Sequence, residues 1–228
     1  MRATRLRFGH RIRIVEKWAG LQFYGLEGLD ERLRSALGVK QGFYVEIGAN
    51  DGRSQSNTLT LELFDGWTGV LIEPVPEQFE KLKFNRSHSR NALFNVACVG
   101  DTFASPTMKI ATAHLMSTPL EGHSDISDRL GHAQSYSQNN EVRIIEVPVM
   151  TMTAVLDAAR APYSPTLLSL DVEGGELEVL KGIDFERYRF QWMLIENRSP
   201  EELVAFLAEK GYELDSKLSH HDYLFRAQ

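Results

Sequence analysis

The 228-residue sequence predicts an α/β protein built on a mostly parallel sheet, and three observations carry that reading. Short apolar, β-favouring runs alternate with stretches of helical spacing from residue 43 onward, the order that parallel βαβ units impose. The first such run ends in Gly48-Ala49-Asn50-Asp51-Gly52, a glycine-bounded turn where a buried strand passes into a tight loop. The chain closes on two β-favouring runs, 212–218 and 223–226, around Ser219-His220-His221. That is a hairpin, so the last strand runs antiparallel to its neighbour.

Taken in order, residues 43–47 form the first strand and 58–64 carry helical spacing. A second buried strand at 69–72 stops at Glu73-Pro74, and a helix over 77–85 leads to a third strand over 92–99. Residues 102–141 are rich in Ser, Gly, His, Asn and Gln, with β-favouring stretches at 109–111 and 142–149. A polar segment of that length is a functional lid or a surface insertion, and both readings stand. The parallel pattern resumes with a helix over 153–160, a fourth strand over 166–170, a short helix over 176–181 closed by Gly182, and a fifth strand over 192–195. Ser199 as N-cap, Pro200 at the first position and Glu202 as capping-box partner open the next helix, and Lys210-Gly211 end it. The expected organisation is an N-terminal extension with a helix over 1–40, then one α/β domain over 41–228 carrying a lid at 102–141.

Composition bounds the function. With 43% hydrophobic and 25% charged residues the chain has the balance of an ordinary globular domain. A net charge of −6 argues against nucleic acid as the main partner, because phosphate binding needs clustered cations. The lone Cys98, inside the apolar run 96–99, excludes an intrachain disulfide and reads as a small buried hydrophobe. No apolar stretch approaches the roughly 18 residues that cross a bilayer, and the N-terminus lacks the apolar core of a signal peptide, so a cytoplasmic location is expected. Residues 2–17 carry Arg2, Arg5, Arg7, Arg11, Arg13 and Lys17 among apolar side chains. That pattern is a solvated arm packing on its own domain, or an amphipathic helix making peripheral membrane contact. Trp18, Phe23 and Tyr24 pack inward or against a second subunit, so a homo-oligomer stays open.

The first βα turn is the strongest local signal. Gly48 can let backbone approach a ligand without a Cβ in the way. The G-x-G-x-x-G spacing of dinucleotide enzymes is missing, and with it the case for a nicotinamide oxidoreductase. Glu46 and Asp51 would repel a pyrophosphate but suit a ligand with an ammonium and a sulfonium, which points to S-adenosylmethionine; a purely structural turn is the alternative. Glu73, about twenty residues after the glycine loop, stands where a carboxylate can accept both ribose hydroxyls of a nucleoside. Asp171 ends the fourth strand and Glu196-Asn197 the fifth. In open parallel sheets ligands bind beyond these carboxyl ends. Asp171, Glu196 and Asn197 could meet a hard cation such as Mg²⁺, lowering the pKa of a bound substrate hydroxyl. Alternatively Asp171 or Glu173 is a general base without metal, or Asp171 only caps the following helix. Of the histidines, His114 in the lid is the preferred proton acceptor; His123, His132, His220 and His221 read as solvated loop residues.

Assembled, these stretches resemble the FkbM-type methyltransferases, a family of class I S-adenosylmethionine enzymes. The matching segments are FYVEIGANDG, SNTLTLE, GWTGVLIEP, FNVACVG, TLLSLDVEGGELEVLKG and MLIEN, with GYEL and DYLF at the end, spanning roughly residues 42–225. The resemblance implies a Rossmann-like, doubly wound seven-stranded sheet with an antiparallel final strand. It also implies methyl transfer to oxygen, often a sugar hydroxyl of a glycan, glycolipid or natural product. Carried over by position, Glu46, Gly48, Asn50 and Asp51 form the cofactor loop, Glu73 is the ribose acid, Asn95, Val96 and Ala97 lie near the adenosine, and Asp171 falls beside the reactive centre. The metal expectation rests on a second resemblance, to the cation site of catechol-type and macrolide-sugar O-methyltransferases, from which Glu196 departs by replacing the commoner Asp. A non-catalytic binding protein on the same fold is the competing reading.

Overall fold

The computed structural model describes residues 23–87, 90–113, 116–119 and 142–228. After a 3₁₀ turn at Leu26–Gly28 come helix α1 (Leu29–Leu37), strand β1 (Phe43–Ile47), α2 (Leu59–Asp65), β2 (Thr68–Ile72), α3 (Pro76–Asn85) and β3 (Ala92–Phe94). Strands β4 (Ala97–Val99), β5 (Thr107–Ala113), β6 (Met116–Pro119) and β7 (Arg143–Thr151) follow. The chain then forms α4 (Met152–Ala159), β8 (Leu167–Leu170), α5 (Glu176–Lys181), β9 (Trp192–Glu196), α6 (Pro200–Glu209), β10 (Tyr212–Lys217) and β11 (Asp222–Ala227).

The main sheet has seven strands in the order β10-β11-β9-β8-β1-β2-β3. Six run in the same direction, and β11 alone is reversed, antiparallel to both β9 and β10, as the C-terminal hairpin predicts. The order reverses beside β1, which pairs with β2 on one side and β8 on the other. That is the switch point where ligands bind in open α/β sheets. Strand periodicity sorts the core into two layers. Val45, Ile47, Val70, Ile72, Leu168 and Leu170 face a cluster with Met152 and Val155 of α4, Leu180 of α5 and Leu203 of α6. Tyr44, Leu71 and Leu167 face the other way, against Leu29, Leu33 and Leu37 of α1, Leu61 of α2 and Leu82 of α3. A sheet buried on both faces explains why its strands read as near-continuous apolar runs.

Two local expectations are corrected, and the strand expected at 109–111 is present. The run 92–99 is not one strand: β3 pairs with β2 in the main sheet, whereas β4 pairs with β7 in a separate sheet of order β4-β7-β5-β6. Asn95 makes the break, its Nδ2 donating to the carbonyls of Glu73 (2.8 Å) and Pro74 (3.0 Å) and turning the chain out of the main sheet. The polar stretch 102–141 begins as ordered structure, with β5 pairing antiparallel to β6 and β7; the rest of the expected lid, residues 120–141, lies outside the described residues, as do arm residues 1–22. The Ser199–Glu202 capping box does not form. Ser199 makes no side-chain cap, and its own amide instead donates to Asn197 Oδ1 at 2.8 Å. Cys98 is buried as expected, which pushes its thiol up to about 12.

Period 2 also places Glu46 on the same face as Tyr44, among the helices α1–α3. There Arg86, fully buried just past α3, meets it. Its Nη2 donates to Glu46 Oε2 (3.1 Å) and Thr58 Oγ1 (2.6 Å), and its Nη1 to Glu62 Oε2 (2.8 Å). Tyr44 Oη (3.0 Å) and Asn91 Nδ2 (2.7 Å) also donate to Glu62. Removing one partner of such a pair leaves buried charge uncompensated and costs roughly 3–5 kcal/mol. Arg86→Met is therefore expected to lower unfolding free energy by about that amount in urea titration, whereas Arg187→Met, in an exposed pair with Asp157, should leave it nearly unchanged.

Candidate functional site

Sheet register assembles the site. Ile47 sits opposite Ile72 of β2 and Leu170 of β8, and Leu170 opposite Ile195 of β9. The next residues along, Gly48, Glu73, Asp171 and Glu196, therefore emerge side by side at the carboxyl edge. Gly48 adopts φ +80°, and a Cβ there would lie 1.8 Å from the Asp171 carbonyl oxygen. The glycine is required by this interlock with β8, a constraint the sequence reading had assigned to ligand approach. The Gly48 and Ala49 amides both donate to Ile72 O (3.1 and 3.0 Å), pinning the loop to β2 as well.

The loop's own acids hold the loop. Asp51 Oδ1 accepts from the amides of Arg53 (2.8 Å) and Ser54 (2.7 Å), and Oδ2 from Ser54 Oγ. Glu46 is 4% exposed and takes Ser56 Oγ, the Asn57 amide and Thr58 Oγ1 in addition to Arg86. Both carboxylates thus face the chain's own donors, and neither lines the cleft described below. Glu73, 3% exposed, accepts the Asn50 amide on Oε2 and the Val75 amide on Oε1, each at 2.8 Å. Each oxygen keeps a second lone pair. Burial raises this carboxyl to about 7, against the pull of those two amides. Asn50 takes φ +48°, a left-handed conformation asparagine tolerates.

The acid group at β8 is tighter than the sequence suggested. Carboxylate oxygens of Asp171, Glu173 and Glu196 lie within 4.8 Å of one another. Burial, then the neighbouring Glu196, pushes Asp171 well above its ordinary value. Asp171 Oδ1 is buried without a hydrogen-bond partner. Glu173 rises to about 7 through burial and then Glu196. It occupies φ +57°, a strained conformation for a residue with a Cβ, of the kind found at functional sites. Glu176 Oε1 accepts the amides of Val172 (3.3 Å) and Gly174 (2.8 Å) and shapes this turn. Asn197 Oδ1 accepts from Ser199 N at 2.8 Å, and Glu173 joins Asp171 and Glu196 in the acid group. The hairpin tip closes the far side, with Asn197 N donating to His221 O at 2.8 Å and both His220 and His221 exposed. His114, His123 and His132 lie outside the described residues.

A cleft of about 760 Å³, open to solvent, runs along this edge. Ile47, Gly48 and Asp171 stand at one end, and Pro74, Val96 and Ala97 continue it. Phe103, in the connection after β4, and Met108 and Ile110 of β5 form a wall; the sequence signalled a strand at 109–111 but not that it faces a cleft. Arg86 was missed too; the available sign was Glu62, an acid inside the apolar helix α2. The residues suit S-adenosylmethionine on chemical grounds. An unpartnered buried carboxyl oxygen stands beside the switch-point glycine, an acid ends β2, and an apolar slot adjoins both.

Sheet order, reversed β11 and switch-point cleft define a class I S-adenosylmethionine-dependent methyltransferase fold. Residues 46–223 match the family model described as the methyltransferase FkbM domain, and the chain belongs to that family. Among solved structures, a human methyltransferase 10 domain containing protein is similar with TM-score 0.50 and 11% identity over 99% of each chain. Precorrin-6y C5,15-methyltransferase from Geobacter metallireducens aligns with TM-score 0.41 and 13% identity over 99% of this chain and 91% of that one. An S-adenosylmethionine-dependent methyltransferase from Thiobacillus denitrificans, solved with S-adenosyl-L-homocysteine, aligns with TM-score 0.41 and 10% identity over 95% and 74%. No curated protein matches the chain. Among the described residues no helix is long and apolar enough to cross a membrane.

Raised carboxyls give the fold a signed pH dependence. Glu73 and Glu173 go from an ordinary 4.5 to about 7, so between those values the folded chain binds more protons than the unfolded one. Their stabilisation is complete below about 4.5 and is lost as pH rises through about 7. The arginine-paired carboxyls Glu77, Asp157 and Glu213 are lowered instead and act only below that window. The ligand-free melting temperature should fall from pH about 5.5 to about 8, and Glu173→Gln should flatten that slope in differential scanning calorimetry.

Proposed function

We propose that the protein transfers the methyl group of S-adenosylmethionine to a hydroxyl of a sugar or glycosylated small molecule. The observation that carries this reading is Asp171 Oδ1, buried and unpartnered at the cleft wall beside Gly48. The cofactor, when bound, supplies an electrophilic methyl on a sulfonium. Glu73 holds the ribose through its two spare lone pairs, and Asn95 keeps the β2 end and the cleft wall in register. Asp171 Oδ1 accepts the acceptor hydroxyl's hydrogen bond and takes its proton as the carbon–oxygen bond forms. Glu196, whose carboxyl crowds Asp171, raises that group's affinity for the proton. The chain's part is chiefly positioning, which can supply roughly 7–11 kcal/mol when reacting atoms are held in near-attack geometry. A net charge of −6 and an acid-rich strand edge favour a neutral acceptor over a polyanion such as nucleic acid.

The spacing of Asp171, Glu173 and Glu196 favours a second reading for hydroxyl activation, in which the three carboxylates hold a divalent cation. On the proton-acceptor reading, Asp171→Ala lowers turnover by roughly 10²–10⁴-fold while S-adenosyl-L-homocysteine still binds in calorimetric titration. Loss of activity in EDTA and its recovery with Mg²⁺ would move the assignment to the cation. Cofactor binding without turnover on any glycan acceptor would favour a non-catalytic role.

A further inference from the structure

Besides Asp171, one charged side chain among the described residues lines the cleft, Glu178 of α5. Its Oε1 is tied to Lys181 Nζ at 2.6 Å, which leaves Oε2 directed at Gly100. A Cβ at position 100 would sit 3.4 Å from Oε2 and 3.2 Å from the Glu178 carbonyl. The glycine therefore keeps this carboxylate in contact with the slot instead of screening it. Pro74, Val96, Val172 and Met108 supply apolar lining to the same cleft. Strand β4 runs along it and pairs only with β7 among the described residues. Alternate peptide groups of a strand point to opposite edges, so the outer edge of β4 presents amide and carbonyl groups beside the slot.

We infer that Glu178 reads the amino group of the cofactor's adenine, with the outer edge of β4 facing the rest of the base's polar rim. The inference rests on the S-adenosylmethionine reading above. If the ribose lies on Glu73 and the sulfonium end lies by Gly48 and Asp171, the remaining part of the cofactor is a flat heteroaromatic ring. Pro74, the neighbour of Glu73, begins the apolar slot of the right character for its faces, and Glu178 closes the slot with an acceptor. An exocyclic amine donates to a carboxylate in a charge-assisted bond. A carbonyl at the same ring position meets that carboxylate with like polarity and leaves it unsatisfied. Glu178 is thus a specificity-determining residue for the purine, distinct from the acids that face the acceptor.

Calorimetric titration with S-adenosyl-L-homocysteine and with S-inosyl-L-homocysteine, its hypoxanthine counterpart, tests the assignment. The unaltered chain should prefer the adenine ligand by roughly tenfold or more, the range of a charge-assisted hydrogen bond. Glu178→Gln, whose amide donates as readily as it accepts, should bring the two affinities within about threefold while the melting temperature of the ligand-free protein stays unchanged. Glu178→Ala should weaken the adenine ligand and leave the hypoxanthine ligand level or improved. A preference that survives both substitutions, or a chain that does not distinguish the two ligands, overturns the assignment. Binding of neither ligand by the unaltered chain would instead remove the cofactor reading on which it rests.

Discussion

Arg86 is closed off from solvent between two carboxylates, Glu46 at the end of β1 and Glu62 in α2. One positive charge facing two negative ones is tolerable there only because neutral donors complete the set. Ser56, Thr58 and the Asn57 amide turn toward Glu46, while Tyr44 and Asn91 turn toward Glu62. A guanidinium suits the position because its planar fork reaches both acids at once, which an ammonium on a single stem does not. The arrangement draws the loop after β1, the start of α2 and the end of α3 to one point. Conformations costly in isolation, such as left-handed Asn50 and Gln55 (φ +60°), persist because their neighbours are fixed from below.

What lies above that anchor follows from strand register. Parallel pairing aligns Ile47, Ile72, Leu170 and Ile195 in pairs across the sheet, so whatever residue follows each is delivered to the same edge. Four short apolar runs of the right length thereby bring together a glycine and three acids that are far apart in sequence. The acids crowd because the strands end together, and crowding in a partly dry site is what lifts Glu73, Asp171 and Glu173 out of the ordinary carboxylate range.

Much of this architecture was legible in the sequence because the signals were local. Apolar runs bounded by glycine and proline gave the parallel strands, and the His220-His221 turn gave the reversed hairpin. Asp171, Glu173 and Glu196 were identifiable as strand-end acids. What escaped was decided by tertiary partners. Residues 92–99 look like one strand, and only the reach of Asn95 back to Glu73 and Pro74 reveals the break. Asn197 offers an oxygen at the strand end, and only the fold shows that oxygen accepting from Ser199 N. Glu46 and Asp51 carry charge that invites a ligand, yet nearby hydroxyls and amides satisfy them first. Glu178 falls inside a family-like segment, but its place on the cleft depends on how α5 lies against β4.

The meeting of Gly48 with the Asp171 carbonyl has a mechanical consequence. Because that oxygen fills the volume a side chain would occupy, the turn after β1 and the end of β8 are geared together like adjacent teeth. Neither can swing outward without displacing the other, and both are braced by β2 through Ile72 O. The floor of the cleft is therefore stiff, holding one fixed orientation for reactants that must line up within fractions of an ångström.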